Sequence, residues 1–190
     1  MAKQKSPGMP GRLRIIGGRW RGRRIRLPER PDIRPTGDRI RETLFNWLTP
    51  IIAGARCLDL FAGSGALGLE ALSRGAGEVV FVERDEAAVR HLEGMLEQLE
   101  CRDATVIHAD ALRFLAGPAK PFDIVWLDPP FGDIDLENLC TLLEPGWLAH
   151  GTRIYLELSR HDDLPNLPAG WVVDRDKTAG QVRFLLARRG

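Results

Sequence analysis

From Arg56 onward, short apolar runs alternate with longer stretches of helical periodicity, and that alternation admits few folds. Strands are predicted near residues 57–61, 79–82, 105–108, 123–127 and 154–158. Helices are predicted at 66–73 and 86–99, from about 111, and at 136–143; Val89, Leu92, Met95, Leu96 and Leu99 set the face of the second. A final strand pair near 171–173 and 182–187 brackets a turn at 178–180. Such units wind into a mostly parallel sheet with helices on both faces, which binds ligands at the carboxyl ends of its strands. Ahead of the sheet, a helix over 39–48, capped by Thr36 or Asp38, buries Ile40, Leu44, Phe45, Trp47 and Leu48 and stops at Pro50.

The first of these strand ends carries Asp59-Leu60-Phe61-Ala62-Gly63-Ser64-Gly65-Ala66-Leu67-Gly68. Its glycines formally satisfy G-x-G-x-x-G, so a dinucleotide has to be considered. Asp59 argues against it, because a carboxylate beside the turn repels a pyrophosphate and attracts a cation. S-adenosylmethionine meets that requirement with a sulfonium, an α-ammonium and no phosphate. Asp59, Phe61, Gly63, Ser64 and Gly65 are therefore the candidate cofactor turn. Glu83, ending the next strand, can accept from ribose hydroxyls under either cofactor. Asp110, with Ala111 after it, can accept from the adenine amine, or can simply cap a helix.

Asp128-Pro129-Pro130-Phe131 follows the run Ile124-Val125-Trp126-Leu127. Exocyclic amines of bases are weak nucleophiles, since the nitrogen lone pair is delocalised into the ring. Acceptors that draw the nitrogen towards tetrahedral geometry help, and Asp128 and the Pro129 carbonyl are such acceptors. The prolines stiffen the turn, and Phe131 offers a stacking face for a displaced base. A rigid turn capped by Asp128, with Phe131 in the core, is the plainer reading; the glycine turn on the neighbouring strand favours the catalytic one. Proton loss after transfer can go to Asp128 or to water. His91, His108, His150 and His161 show no ligand spacing, so no metal is expected.

A net charge of +1 conceals an uneven distribution. Residues 1–48 hold 13 Lys and Arg against 4 Asp and Glu, and the remainder holds 14 against 22. A basic arm facing a polyanion is implied, and its 11 Arg to 2 Lys suit phosphate forks and base stacking. Arg19, Trp20, Arg21, Arg23 and Arg24 are the candidate RNA contacts on a two-stranded ribbon turned at Gly17-Gly18. A solvated hairpin with Trp20 packed on the body would explain the same residues. Arg34 and Thr36 link arm to body and are further candidates for substrate contact. Arg39 and Arg41 could clamp phosphates too, or Arg41 and Glu42 could be surface partners. The division expected is a basic arm over 1–33 and a catalytic domain over 34–190. No apolar run approaches the roughly 18–20 residues of a membrane span, and residues 1–10 lack a secretory apolar stretch, so a cytoplasmic protein is expected. The spacing of Cys57, Cys101 and Cys140 fits neither a disulfide framework nor a zinc site, and buried thiols are the reading.

Taken together the chain resembles the RsmD family, bacterial methyltransferases of guanine N2 in 16S ribosomal RNA. The resemblance runs from Arg14-Ile15-Ile16-Gly17-Gly18 and Trp20-Arg21-Gly22, through Arg34-Pro35-Thr36 and Arg41-Glu42-Thr43-Leu44-Phe45-Asn46-Trp47-Leu48, to Asp59–Gly65, the 67–76 helix and Asp128–Phe131. It implies a Rossmann-like class I S-adenosylmethionine-dependent methyltransferase fold, a seven-stranded mostly parallel sheet plus the N-terminal basic β-hairpin. It also implies a substrate that is a small ribosomal subunit or its assembly intermediate, and Asp128 to Phe131 holding the guanine. A monomer is expected. A DNA adenine or cytosine amino-methyltransferase shares the tetrapeptide, but too little chain remains for a target-recognition domain. A dinucleotide oxidoreductase would use the glycine turn alone, and a noncatalytic RNA-binding assembly factor would keep the cofactor fold without the transfer.

Overall fold

The computed structural model describes residues 12–26, 37–130 and 134–190. Two short strands, β1 (Arg12–Arg14) and β2 (Arg24–Arg26), pair antiparallel. The body follows as α1 (Asp38–Leu48), β3 (Arg56–Asp59), α2 (Ala66–Ser73), β4 (Glu78–Glu83), α3 (Glu86–Gln98), β5 (Ala104–His108), α4 (Ala111–Leu115), β6 (Phe122–Leu127), α5 (Leu136–Leu143), β7 (Leu148–Ser159), β8 (Trp171–Ala179) and β9 (Val182–Arg189). Seven strands form one sheet in the order β5-β4-β3-β6-β7-β9-β8. Strands β5 to β7 are parallel, and β9 and β8 are antiparallel to their neighbours. This is the Rossmann-like architecture expected.

Alternation along each strand divides the core in two. Cys57, Ile124, Trp126 and Tyr155 face α1, α2 and α3, where Leu44, Phe45, Leu69, Leu72 and Leu92 meet them. Leu58, Val125, Leu127 and Ile154 face α4 and α5, against Leu115, Leu139 and Leu143. The chain leaves β3 towards β4 and β5, then returns to β6 on the other side. The crevice outside the carboxyl ends of β3 and β6 is therefore the topological switch point, where open sheets of this kind hold ligands.

Three helices start on aspartates whose side chains accept backbone N–H groups: Asp85 on α3, Asp110 on α4 and Asp135 on α5. Helix α1 does not. Its N-cap is Gly37; Asp38 is its first helical residue and instead takes the Arg41 guanidinium, and Thr36 lies outside the described residues. The sheet's far side is longer than expected, with β8 running to Ala179. That edge strand is mostly polar and is held by its ladder to β9 and by ion pairs such as Arg183–Asp176, so burial leaves little hydrophobic signature there.

The N-terminal ribbon also differs from expectation. Gly17 and Gly18 do not form a tight hairpin turn, because residues 15–23 all lie between the strands. Gly18 has a φ of 75° and sits so close to the Ser73 carbonyl that a Cβ would come within 1.8 Å of it. Docking, not turn economy, requires that glycine. Leu13, Ile15 and Trp20 join the main core. Cys57 and Cys140 are buried thiols, while Cys101 is partly exposed. No helix among the described residues is long and apolar enough to cross a membrane.

Candidate active site

Four neighbouring strands each carry a carboxylate at or beside the carboxyl end: Glu83 on β4, Asp59 on β3, Asp128 after β6 and Glu157 on β7. Asp59 is 2% exposed, and its Oδ2 accepts the Gly68 N–H at 3.0 Å. Burial pushes its carboxyl up to about 7; the Gly68 hydrogen bond opposes this, and the charges of Asp128 and Glu83 add to it. The site thus concentrates negative charge that a cation would relieve.

Helix α2 starts directly from the glycine turn. Gly65, its N-cap, has a φ of 74°, and a Cβ there would lie 2.4 Å from Leu92 Cδ2. Gly68 lets α2 lie against β4, since a Cβ would strike the Phe81 ring at 2.2 Å. Gly63 faces open space, with no atom nearer a hypothetical Cβ than the Phe61 carbonyl at 3.9 Å. Packing therefore explains Gly65 and Gly68, whereas Gly63 is called for by its left-handed backbone, at a φ of 49°, and has open space on its Cβ side. Ser64 and Ala111 are buried, and Phe61 is half-buried.

Glu83 presets this turn. Its Oε2 accepts the Gly63 N–H and its Oε1 the Asp85 N–H, each at 2.7 Å. Each oxygen keeps a second lone pair for a hydroxyl. Asp110 accepts the Leu112 and Arg113 N–H groups at 2.9 and 3.3 Å, so it does cap α4, and it remains exposed at the strand end.

Asp59 pairs with Trp126 across β3 and β6, which puts Asp128 two residues further out on the same face, at the crevice. Asp128 is half-buried, Pro129 buried and Pro130 exposed; Phe131 lies outside the described residues, as does the expected Arg34. Glu157 and Tyr155 were not anticipated. The Tyr155 hydroxyl donates to Glu157 Oε2 at 2.7 Å. An acid inside the apolar run Ile154-Tyr155-Leu156-Glu157-Leu158 was the available signal.

The arm does not reach this crevice through its turn. Ile16 and Gly17 donate their N–H groups to Glu70 at 2.8 Å, Trp20 donates to Ser73 Oγ at 3.0 Å, and Arg19 donates to the Ser73 carbonyl at 2.7 Å. Trp20 is 6% exposed and packed in the core, so it is corrected from a candidate RNA contact to an anchor, as the alternative reading had it. Arg41 is corrected as well: fully buried, it contacts Glu70 at 3.5 Å, Asp38 at 2.6 Å and the Arg14 carbonyl at 2.8 Å, and is neither a phosphate clamp nor a surface partner. Arg12, Arg14, Arg19, Arg21, Arg23 and Arg24 stay exposed. Arg19 lies 3.7 Å from Asp103 and over the Trp20 ring.

Residues 13–188 match the family described as Conserved hypothetical protein 95. The chain is 50% identical over 180 residues to Ribosomal RNA small subunit methyltransferase D of Escherichia coli strain K12, covering 94% of this chain and 91% of that one. It is 44% identical to the protein of the same name from Haemophilus influenzae, over 98% of both chains. The solved structure of yhhF from Escherichia coli superposes with a TM-score of 0.88 at 48% identity, over 94% of this chain and 98% of that chain.

Proposed function

Since this chain belongs to the RsmD family, whose relatives are named ribosomal RNA small subunit methyltransferases, we propose that it methylates the exocyclic N2 of a guanine in 16S ribosomal RNA, with S-adenosylmethionine as donor. The observation that carries this reading is the row of strand-end carboxylates, with Asp128-Pro129 directly beside the glycine turn. A phosphate-bearing cofactor would meet uncompensated repulsion there, whereas a sulfonium and an ammonium fit.

The open space over Gly63 and the buried charge of Asp59 suit that donor. Asp59 would hold its cationic end, Glu83 its ribose hydroxyls and Asp110 its adenine amine. When bound, it supplies a methyl group already activated on sulfur. The protein's own task is then alignment. Asp128 and the Pro129 carbonyl accept the hydrogens of the target amine, which turns its lone pair towards the methyl carbon. Asp128 or water takes the proton that the amine sheds. Pro129, lacking an N–H, presents no donor that would compete for the amine's lone pair. The exposed arginines of the arm bind RNA phosphates, and Arg34 and Thr36 are further candidates for substrate contact.

The test incubates the protein and methyl-labelled donor with small ribosomal subunits from cells lacking the enzyme, then identifies the labelled nucleoside. N2-methylguanosine is expected. Asp128→Ala is expected to abolish labelling while particle binding stays within about twofold. Label in any other nucleoside, or unchanged labelling by the variant, overturns the assignment.

A further inference from the structure

Glu157 is a charged residue in the otherwise apolar, buried stretch 154–158 of β7, and no step of the proposed reaction uses it. It is 7% exposed, and an unused carboxylate in such a place is destabilising. Sheet register explains why it is there. Leu127 pairs with Leu156, so the next rank brings Asp128 and Glu157 side by side, on the same face as Trp126 and Tyr155. The hydrogen bond from Tyr155 engages only Oε2 of Glu157.

We propose that Glu157 is a positioning residue for Asp128: anchored by Tyr155, its carboxylic acid donates a hydrogen bond to the Asp128 carboxylate and aims the other Asp128 oxygen at the target amine. The inference rests on the proposed role of Asp128. Burial first, and then the charge of Asp128, push the Glu157 carboxyl up to about 7, against the Tyr155 hydrogen bond, so the acid form is populated at and below neutrality. Above that, two like charges face each other and the hydrogen bond is lost. The other charged groups on this face are more distant in the sheet. Asp59 lies beyond Asp128 on β3, and Lys177 lies beyond Phe184 on β8, with its ammonium over the Trp47 ring. On α1, Arg41 is held by Glu70 and Asp38. Glu157 starts and ends the cycle protonated; the proton shed by the amine passes to Asp128 and from there to water.

Two measurements test this. In the cofactor-free protein, the carboxyl carbon of Glu157, assigned by its loss in Glu157→Gln, should titrate near 7 by NMR. It should shift down in Asp128→Asn, which removes the repelling charge, and up in Tyr155→Phe, which removes the bond to the ionised form. Titration in the ordinary carboxylate range, or no movement in Asp128→Asn, overturns the proposal. With unmethylated small subunits, wild-type kcat should fall as pH rises from about 6.5 to 8.5. Glu157→Ala should lose roughly 10- to 100-fold in kcat with KM unchanged. Glu157→Gln, whose amide donates at every pH, should recover most of that loss and give a flat profile. A wild-type alkaline limb in Glu157→Gln, or full kcat in Glu157→Ala, makes Glu157 merely structural. An inactive wild type with the carboxyls still coupled by NMR would instead overturn the proposed function, and the positioning role with it.

Discussion

At the residue scale, the proposed cofactor role of Asp59 would tie binding to pH. Its folded value of about 7 lies above the unfolded 3.8, so the native state holds a proton that the unfolded chain releases. The stability this contributes is fully present below 3.8 and is lost as pH rises towards about 7. A cationic ligand prefers the ionised form, and its affinity moves the opposite way. Calorimetric titration with S-adenosylmethionine should therefore show affinity rising from pH 6 and levelling above about 7, with proton release on binding. Asp59→Asn should flatten that dependence and weaken binding. The same variant should unfold at a higher temperature than wild type at pH 7.5, because no buried charge remains. A wild-type affinity independent of pH would remove Asp59 from the cofactor site.

At the scale of elements, α2 joins two functions. Its N-terminal end starts from the glycine turn, and its last turns hold the arm through Glu70 and Ser73. Glu70 is fully buried and takes Arg74 at 2.7 Å besides two arm N–H groups. Removing it leaves Arg41 and Arg74 without that countercharge, and Glu70→Ala should lower stability by about 3–5 kcal/mol in denaturant titrations. The arginines on the arm's free face act differently. Neutralising Arg21, Arg23 and Arg24 should leave the melting temperature nearly unchanged, weaken subunit binding and reduce the slope of log affinity against log salt by about 2, as fewer counterions are released. An unchanged slope would make the arm a structural extension only.

Across the whole molecule, the proposed function divides recognition between the basic segment and the acidic carboxyl edge of the sheet. RNA phosphates are attracted to the arm and repelled from the carboxylate row, so a base must be presented to the crevice while its backbone stays on the basic side. Free, flexible RNA meets that condition rarely, and a folded particle can meet it permanently. We therefore expect labelling of assembled small subunits to exceed that of protein-free 16S RNA at least 10-fold in kcat/KM. Equal rates on the two substrates would show that the enzyme reads local sequence alone.

Periodicity made the central elements legible, because strands buried on both faces and helices packed on one must repeat their apolar residues at fixed intervals. Helices α2 and α5 were readable to the residue for that reason, whereas β3 ends at Asp59, two residues before the expected end, and β4 runs one residue further, to Glu83. The polar edge β8 was not readable, since ladder pairing needs no apolar pattern. Single motifs stood out wherever the residue type itself was unusual, as at Gly63 beside Asp59 or Asp128 before two prolines. Neighbourhood was not legible. Trp20 and Arg41 looked like surface recognition residues until folding placed one in the core and the other against Glu70, 29 positions away. Glu157 likewise joined Asp128 only through the parallel register of β6 and β7. The sequence alone determined which elements form and which motifs stand at strand ends, because local spacing encodes them. Which charges meet, and which side chains water can reach, was decided only by the tertiary structure, because both depend on contacts between residues distant in the chain.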